Sequence, residues 1–306
     1  MLVFVTGASG FVGRFVVPEL LANGHKVLAL ARTDDAAAKL EAIEGVSVQR
    51  GSLDDLDSLQ EGARKADGVI HLAFKHDFEN YLANGQLDVE VTKAIADTLV
   101  GTNKPFVITS GTALFAMDPS RAPGSVADED AEHPAAMHQM PRIASECALR
   151  TYTNKGVRGT VVRLPPSVHG AGDGGFVPWI VHCARTHGIS PFVGSGENVW
   201  PGVDVRDAAK VFRLALEKGK AGSAFHALGD GDRTQFKEIA QLVGERLTVP
   251  VKQLEVGDEA VEKHFGFLAR FATLDNLVSA EKTKERLGWQ PTGRSLKEEL
   301  AAGTYC

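Results

Sequence analysis

Cysteine is scarce in this chain: Cys147, Cys183 and Cys306 are the only three in 306 residues, an odd number set far apart. Such spacing excludes a disulfide framework, and reduced thiols imply a cytoplasmic protein. No apolar stretch approaches the ~20 residues of a membrane-spanning helix. The opening MLVFVTGASG has no basic segment ahead of its short apolar run, so it does not read as a secretory signal. There is no Lys/Arg-rich run, and 33 basic against 39 acidic residues leave a net charge of −6, which argues against a nucleic-acid partner. Internal repeats and low-complexity tracts are missing, and no His/Cys/Asp spacing suits a metal. With 43% hydrophobic and 24% charged residues, the chain has the make-up of an ordinary globular protein, large enough to bury a core without staples.

Short apolar runs at 2–6, 26–31, 46–50, 69–73, 106–109 and 160–164 alternate with segments long enough for crossover helices, such as 11–22, 35–43 and 81–100. Continuous apolar strands joined by helices define an α/β class: a Rossmann doubly wound parallel sheet with helices on both faces. After about residue 165 the alternation loosens and Gly, Pro and aromatic residues increase. The expected organisation is a dinucleotide-binding domain over 1–165, to which about 200–228 return, and a smaller C-terminal substrate lobe from 166–199 and 229–306.

The first strand runs into Thr6-Gly7-Ala8-Ser9-Gly10-Phe11-Val12-Gly13, and a helix follows. Gly7 allows the tight turn, Gly10 lets the backbone approach a pyrophosphate, and Gly13 lets the helix pack on the sheet. The pyrophosphate then faces the N–H groups and positive dipole end of the helix. Thr6, Ser9, Phe11 and Val12 complete the loop, and Ser52 and Leu53 follow the third strand at the same edge. Arg32 ends the second strand, where an acidic residue would bind the ribose hydroxyls of NAD. A guanidinium there suits a 2′-phosphate, so NADP(H) is the preferred cofactor. NAD(H) remains possible, with Asp34 or Asp35 as ribose binders.

These residues resemble the extended short-chain dehydrogenase/reductase superfamily, in its epimerase/dehydratase-like branch. The resemblance continues through His71-Leu72-Ala73, Thr109-Ser110-Gly111-Thr112, the segment from Arg163 to Gly170 and Val203-Asp204-Val205-Arg206-Asp207. It implies cofactor contacts from Leu72, Ala73, Thr109, Pro165, Ser167 and Val168. The resemblance also shows a departure. The family carries Tyr-x-x-x-Lys on the helix before the sixth strand, as proton donor and ribose-holding cation. Counting back from Glu146 puts His138 on the Tyr position and Arg142 on the Lys position, four residues apart and so on one helix face. The family's Ser/Thr position falls on Gly111, and its helix Asn on Asp88.

The catalytic candidates are therefore Thr112 to hold a substrate oxygen, His138 or Tyr81 to relay a proton, and Arg142 as the cation near the ribose. Lys75, His76 and Asp77 follow the fourth strand at the ligand edge. The expected substrate contacts are Phe74, His76, Phe78, Tyr81, Thr112, Pro166, His169, Phe176, Trp179 and Trp200. Leu114, Phe115, Val168 and Phe192 complete a largely apolar wall. That wall suits a small hydrophobic ketone or aldehyde better than a nucleotide-sugar, whose diphosphate needs several cations. The expected activity is NADPH-dependent carbonyl reduction. The alternatives are a nucleotide-sugar epimerase or dehydratase, and a non-catalytic NADP(H) sensor. An apolar stripe of Leu87, Val91, Ile95 and Leu99, with the family's four-helix interface in view, implies a homodimer.

Overall fold

Successive side chains of a strand point to opposite faces of its sheet, and the first strand, β1 (Leu2–Thr6), buries both faces. Val3 and Val5 enter one core while Phe4 enters another. This is the pattern of a strand covered by helices on both sides. The computed structural model describes residues 1–77, 80–229, 231 and 233–305; Phe78 and Cys306 lie outside the described residues. After β1 come α1 (Gly13–Ala22), β2 (Lys26–Ala31), α2 (Asp34–Glu41), β3 (Val46–Arg50), α3 (Leu56–Lys65) and β4 (Gly68–His71). There follow α4 (Tyr81–Leu99), β5 (Pro105–Gly111), α5 (Ala113–Ala116), α6 (Ile143–Arg150) and β6 (Arg158–Leu164).

The main sheet has seven strands, ordered Ala224–His226, β6, β5, β4, β1, β2, β3, and every pairing is parallel. The expected doubly wound architecture is what the structure shows. Strand order reverses between β1 and β4, and the crevice at the C-terminal ends of those strands is where such sheets bind ligands. One face is covered by α1 and helix Val205–Lys218, which bury Val16, Leu20, Phe212 and Leu216. The other is covered by α3, α4 and α6 around Phe4, Phe106 and Ile108. Val91, Ile95 and Leu99 are fully buried in that second core, and Leu87 packs at its margin. The side chains of the stripe that suggested a dimer therefore pack on the chain's own sheet.

A separate core joins helices Phe176–His187 and Phe236–Leu247 to Phe265, Leu268 and Leu296. Trp200 is fully buried at its centre, its indole N–H donating to the Phe271 carbonyl at 3.1 Å, with Phe236 edge-on at 5.0 Å. Phe176, Trp179 and Phe192 are half-buried against the same core, and the Trp179 indole donates to the Phe265 carbonyl at 2.8 Å. Trp200, expected as pocket wall, is instead enclosed in that core. A small lobe has little interior volume per residue, so its largest side chains are needed for packing. Among the described residues, no helix is long and apolar enough to cross a membrane.

Candidate active site

The loop after β1 is built so tightly that only glycine fits. Gly7 has φ +73°, and a Cβ there would stand 2.7 Å from the Ala73 amide nitrogen. A Cβ on Gly13 would stand 2.1 Å from the Gly7 carbonyl oxygen. The Gly10 N–H donates to that same carbonyl at 3.0 Å, closing the turn and leaving Ser9 and Gly10 exposed at the mouth of α1. Phe11 and Val12 are half-buried behind them, and Thr6 is fully buried beneath. Beyond β6 the chain passes through buried Pro165 and half-buried Pro166 and Val168. Between them the buried hydroxyl of Ser167 has no hydrogen-bond partner among the described residues. A cradle that excludes a Cβ and an orphaned hydroxyl on the nicotinamide-side segment both fit a bound dinucleotide.

At the far end of the cradle, Arg32 is exposed just past β2. Sequence reasoning missed its neighbour. Arg50, at the end of β3, donates to the Thr33 carbonyl at 3.0 Å and pairs with Asp34 at 2.8 Å. Its one signal in the sequence was a cation ending a strand. Asp35 pairs with Lys39 at 2.8 Å, so both carboxylates offered as ribose binders already hold cations. Ser52 and Leu53 are half-buried in the next loop, which Lys75 closes by pairing with Asp54 at 2.7 Å.

The chemistry-bearing side chains gather where β4 meets α4, directly after the Ala73 that packs on Gly7. His71, at the end of β4, accepts or donates at both ring nitrogens: Nδ1 lies 2.6 Å from the Thr6 hydroxyl and Nε2 3.2 Å from Asp88 Oδ1. Ser145 donates its hydroxyl to Asp88 Oδ2. Arg142 donates from Nη1 to Asp88 Oδ1 and to the Thr109 carbonyl, each at 3.3 Å. Burial pushes the Asp88 carboxyl up, but Arg142, His71 and Ser145 together outweigh it and hold the group below the ordinary value. The Arg142 guanidinium lies 3.7 Å over the Phe74 ring. Around Phe74 stand His76 at 5.2 Å and Tyr81 at 6.0 Å, both edge-on. Burial first, and then the charge of Arg142, push the His76 pKa down. Burial raises that of Tyr81; Arg142 opposes this and Asp88 adds to it.

Three expected members of the site are placed elsewhere. His138 and Arg142 do not share a helix face, because α6 starts only at Ile143 and Arg142 caps it with φ +72°. Pro141 lacks an N–H and steers Met140 away from helical dihedrals, so the helix cannot extend back to His138. His138 is exposed, its Nε2 3.0 Å from the His133 carbonyl oxygen. It lines a separate cavity of about 510 Å³ with Glu132, Cys147 and Arg150. Thr112 is fully buried and donates its hydroxyl to Asn276 Oδ1 at 2.7 Å, while the Asn276 amide donates back to the Thr112 carbonyl at 2.8 Å. It joins the sheet to a late segment of the chain and cannot present its hydroxyl to a ligand. His169 is likewise fully buried, opposite Asp204 in a short parallel pair. Arg142 itself has a backbone that L-residues rarely adopt, at a cost of about 1–3 kcal/mol; such strain clusters at functional sites.

Fold, cradle and edge cluster define a dinucleotide-binding α/β protein of the short-chain dehydrogenase/reductase type. The chain belongs to the NAD dependent epimerase/dehydratase family, which residues 3–228 match, and is a nicotinamide-dinucleotide-dependent oxidoreductase of that family. It is similar to an uncharacterized protein of Schizosaccharomyces pombe, 43% identical over 100% of both chains. An uncharacterized protein of Saccharomyces cerevisiae is 45% identical over 99% of this chain and 98% of its own. The sterol-4-alpha-carboxylate 3-dehydrogenase of Dictyostelium discoideum is 29% identical over 78% of this chain and 74% of that one. Among solved structures, the dTDP-glucose 4,6-dehydratase DesIV of Streptomyces venezuelae, with NAD and TYD bound, shares the fold. Its TM-score is 0.78 at 20% identity, over 99% of this chain and 96% of that one.

Proposed function

We propose that the protein is an NADPH-dependent reductase that converts a small, largely hydrophobic ketone or aldehyde to the alcohol. The observation that carries this reading is the convergence of Phe74, His76, Tyr81 and Arg142 beside the glycine cradle. The dinucleotide supplies hydride when bound. The chain's own residues must place the carbonyl, exclude water and deliver a proton to its oxygen. Phe74, Pro166 and Val168 supply apolar walls. Tyr81 is the proton donor: its phenol is a far stronger acid than the N–H of a neutral imidazole, and His76, its pKa pushed down, is neutral at pH 7. Arg142, anchored by Asp88, supplies the positive charge that the family's Lys supplies elsewhere, and favours the phenolate left after transfer. Similar proteins include a sterol dehydrogenase and a farnesyl-dihydroquinoline-oxide ketoreductase of Stigmatella aurantiaca, at 29% and 28% identity. Both are named for redox chemistry on apolar molecules, which supports the substrate class.

The test is NADPH absorbance followed against a panel of hydrophobic ketones and aldehydes. Consumption with any of them supports the reading; none across the panel, with NADPH still bound, leaves a binding protein without turnover. Two further outcomes are expected. Arg32→Ala and Arg50→Ala each weaken NADPH binding about 10- to 100-fold more than NADH binding, the worth of a charged hydrogen bond to a phosphate. Equal losses for both cofactors in a fluorescence titration would overturn the NADP assignment. His138→Ala lowers turnover by less than about tenfold, since its ring faces the wrong cavity. A larger fall, with NADPH binding intact, would restore it to the proton path.

A further inference from the structure

The loop from Gly170 to Gly175 leaves the nicotinamide-side segment and leads into helix Phe176–His187. It is held from two directions. On one side Arg14, the residue after Gly13 of the cradle, donates from Nη2 to the Gly172 carbonyl at 3.1 Å. Gly172 has φ +82°, and a Cβ there would stand 2.9 Å from that Arg14 nitrogen, so the guanidinium rests on the bare backbone. On the other side stands Tyr305. Its hydroxyl accepts from the Gly170 N–H at 3.2 Å and donates to Asp173 Oδ2 at 3.0 Å. Asp173 uses its other oxygen to accept from the Gly175 N–H at 2.7 Å. The Tyr305 ring packs on the small-lobe core, and Arg185 donates to its carbonyl at 3.4 Å.

We propose that Tyr305 is a positioning residue that latches the Gly170–Gly175 loop against Arg14 at the mouth of the dinucleotide cradle, and so sets how fast the cofactor leaves. The hydroxyl engages both ends of the turn, one through a backbone N–H and one through a carboxylate. Burial raises the phenol's pKa, and Asp173 adds to the rise, so Tyr305 keeps the proton it donates through neutral pH. Asp173 is raised by burial too, and a donor on its second oxygen is what a buried carboxylate requires. Losing the hydroxyl frees the loop while the ring still fills its place in the core. Arg14 then loses the fixed carbonyl that holds it over the cradle.

The experiment compares the unaltered chain with Tyr305→Phe and with a chain shortened after Gly303. NADPH dissociation is read by stopped-flow displacement, and amide hydrogen exchange at 170–175 is read without cofactor. Tyr305→Phe is expected to speed dissociation about three- to tenfold, the worth of a part-buried hydrogen bond or two, and to speed exchange at 170–175 with the rest of the chain unchanged. The shortened chain should do at least as much. Unchanged dissociation in Tyr305→Phe overturns the proposal, whatever happens to thermal stability. So does faster dissociation in the shortened chain alone, because that would assign the effect to ring packing. These readouts need binding and not turnover, so a chain that reduces no carbonyl still tests the latch. If the unaltered chain binds no dinucleotide, cradle and latch fall together.

Discussion

Tyr81→Phe is expected to lower turnover about 10²-fold or more while NADPH affinity stays within about twofold. Phenylalanine keeps the edge-on contact with Phe74 and removes only the hydroxyl. The size of the effect follows from the absence of an equivalent acid nearby among the described residues: His76 is neutral at pH 7, and His138 and the Thr112 hydroxyl are directed elsewhere. The pH profile carries a second expectation. A phenol whose pKa is raised from 10 stays protonated through neutrality, so kcat for reduction should be level from about pH 6 to 9 and fall only beyond. A fall in turnover of less than tenfold in Tyr81→Phe, with binding intact, would move the proton donor to solvent or to the loop of Lys75, His76 and Asp77.

Arg163→Met is expected to cost about 3–5 kcal/mol of stability, because it strands a buried carboxylate. Arg163 on β6 donates from Nη2 to Glu146 Oε2 at 2.6 Å and from Nε to Oε1 at 3.1 Å, and both side chains are almost fully buried. The same guanidinium lies 4.9 Å over Phe115 and 3.4 Å from His226 Nε2. Urea unfolding at constant slope measures the loss. Adding Glu146→Gln should recover much of it, and a single-variant loss below about 1 kcal/mol, the size of an exposed pair, would refute the argument.

Acid should weaken this network in a definite sense. Burial pushes the Glu146 carboxyl up, but Arg163 outweighs it and leaves the group below 4.5. The stability it contributes is present above the unfolded value and is lost as pH falls through the folded one. Burial, with Arg163 adding to it, holds His226 down at about 3; burial, partly offset by Glu146, holds His133 at about 4. The unfolded chain takes up protons on these groups from 6.5 downward while the native chain does not. Stability therefore falls as pH drops below about 6.5, down to those values. A melting midpoint that stays level from pH 7 to pH 5 would contradict this.

Much of the fold is legible in the sequence. β1 and β2 can be read to the residue because each is a short apolar run ending at a glycine turn or a cation, and β3 because its alternating Val46 and Val48 end in Arg50 and Gly51. α3 is not legible in that way: its buried face is Ser58, Leu59, Gly62 and Ala63, with Phe4 filling the space over Gly62. Leu56, Leu59 and Ala63 recur at helical spacing, but over only 10 residues, and Asp55, which caps the helix by accepting from the Ser58 N–H at 3.1 Å, sits among other acidic residues. The cradle is legible because its demands are local: Gly7, Gly10 and Gly13 answer to backbone atoms within a few residues and to the next strand. Arg142 is legible as a cation beside the site only through the resemblance to the family, by counting back from Glu146.

The sequence by itself determines the sheet and the cradle, since each follows from residues close together in the chain and from the period of strand or helix, while Arg142 as the cation follows only from the resemblance to the family. Only the tertiary structure decides which side chains meet that cation. The break at Pro141 and Arg142 turns His138 away, although four-residue spacing would bring it in on an unbroken helix. Asn276, 164 positions from Thr112, captures the hydroxyl that strand position seemed to offer. Phe74, beside the cradle, brings Tyr81 from the start of α4 and Arg142 from the start of α6 around one ring. Contacts of this range leave no periodic trace in a single chain, because they depend on where folded elements come to rest against one another and not on the residues beside them.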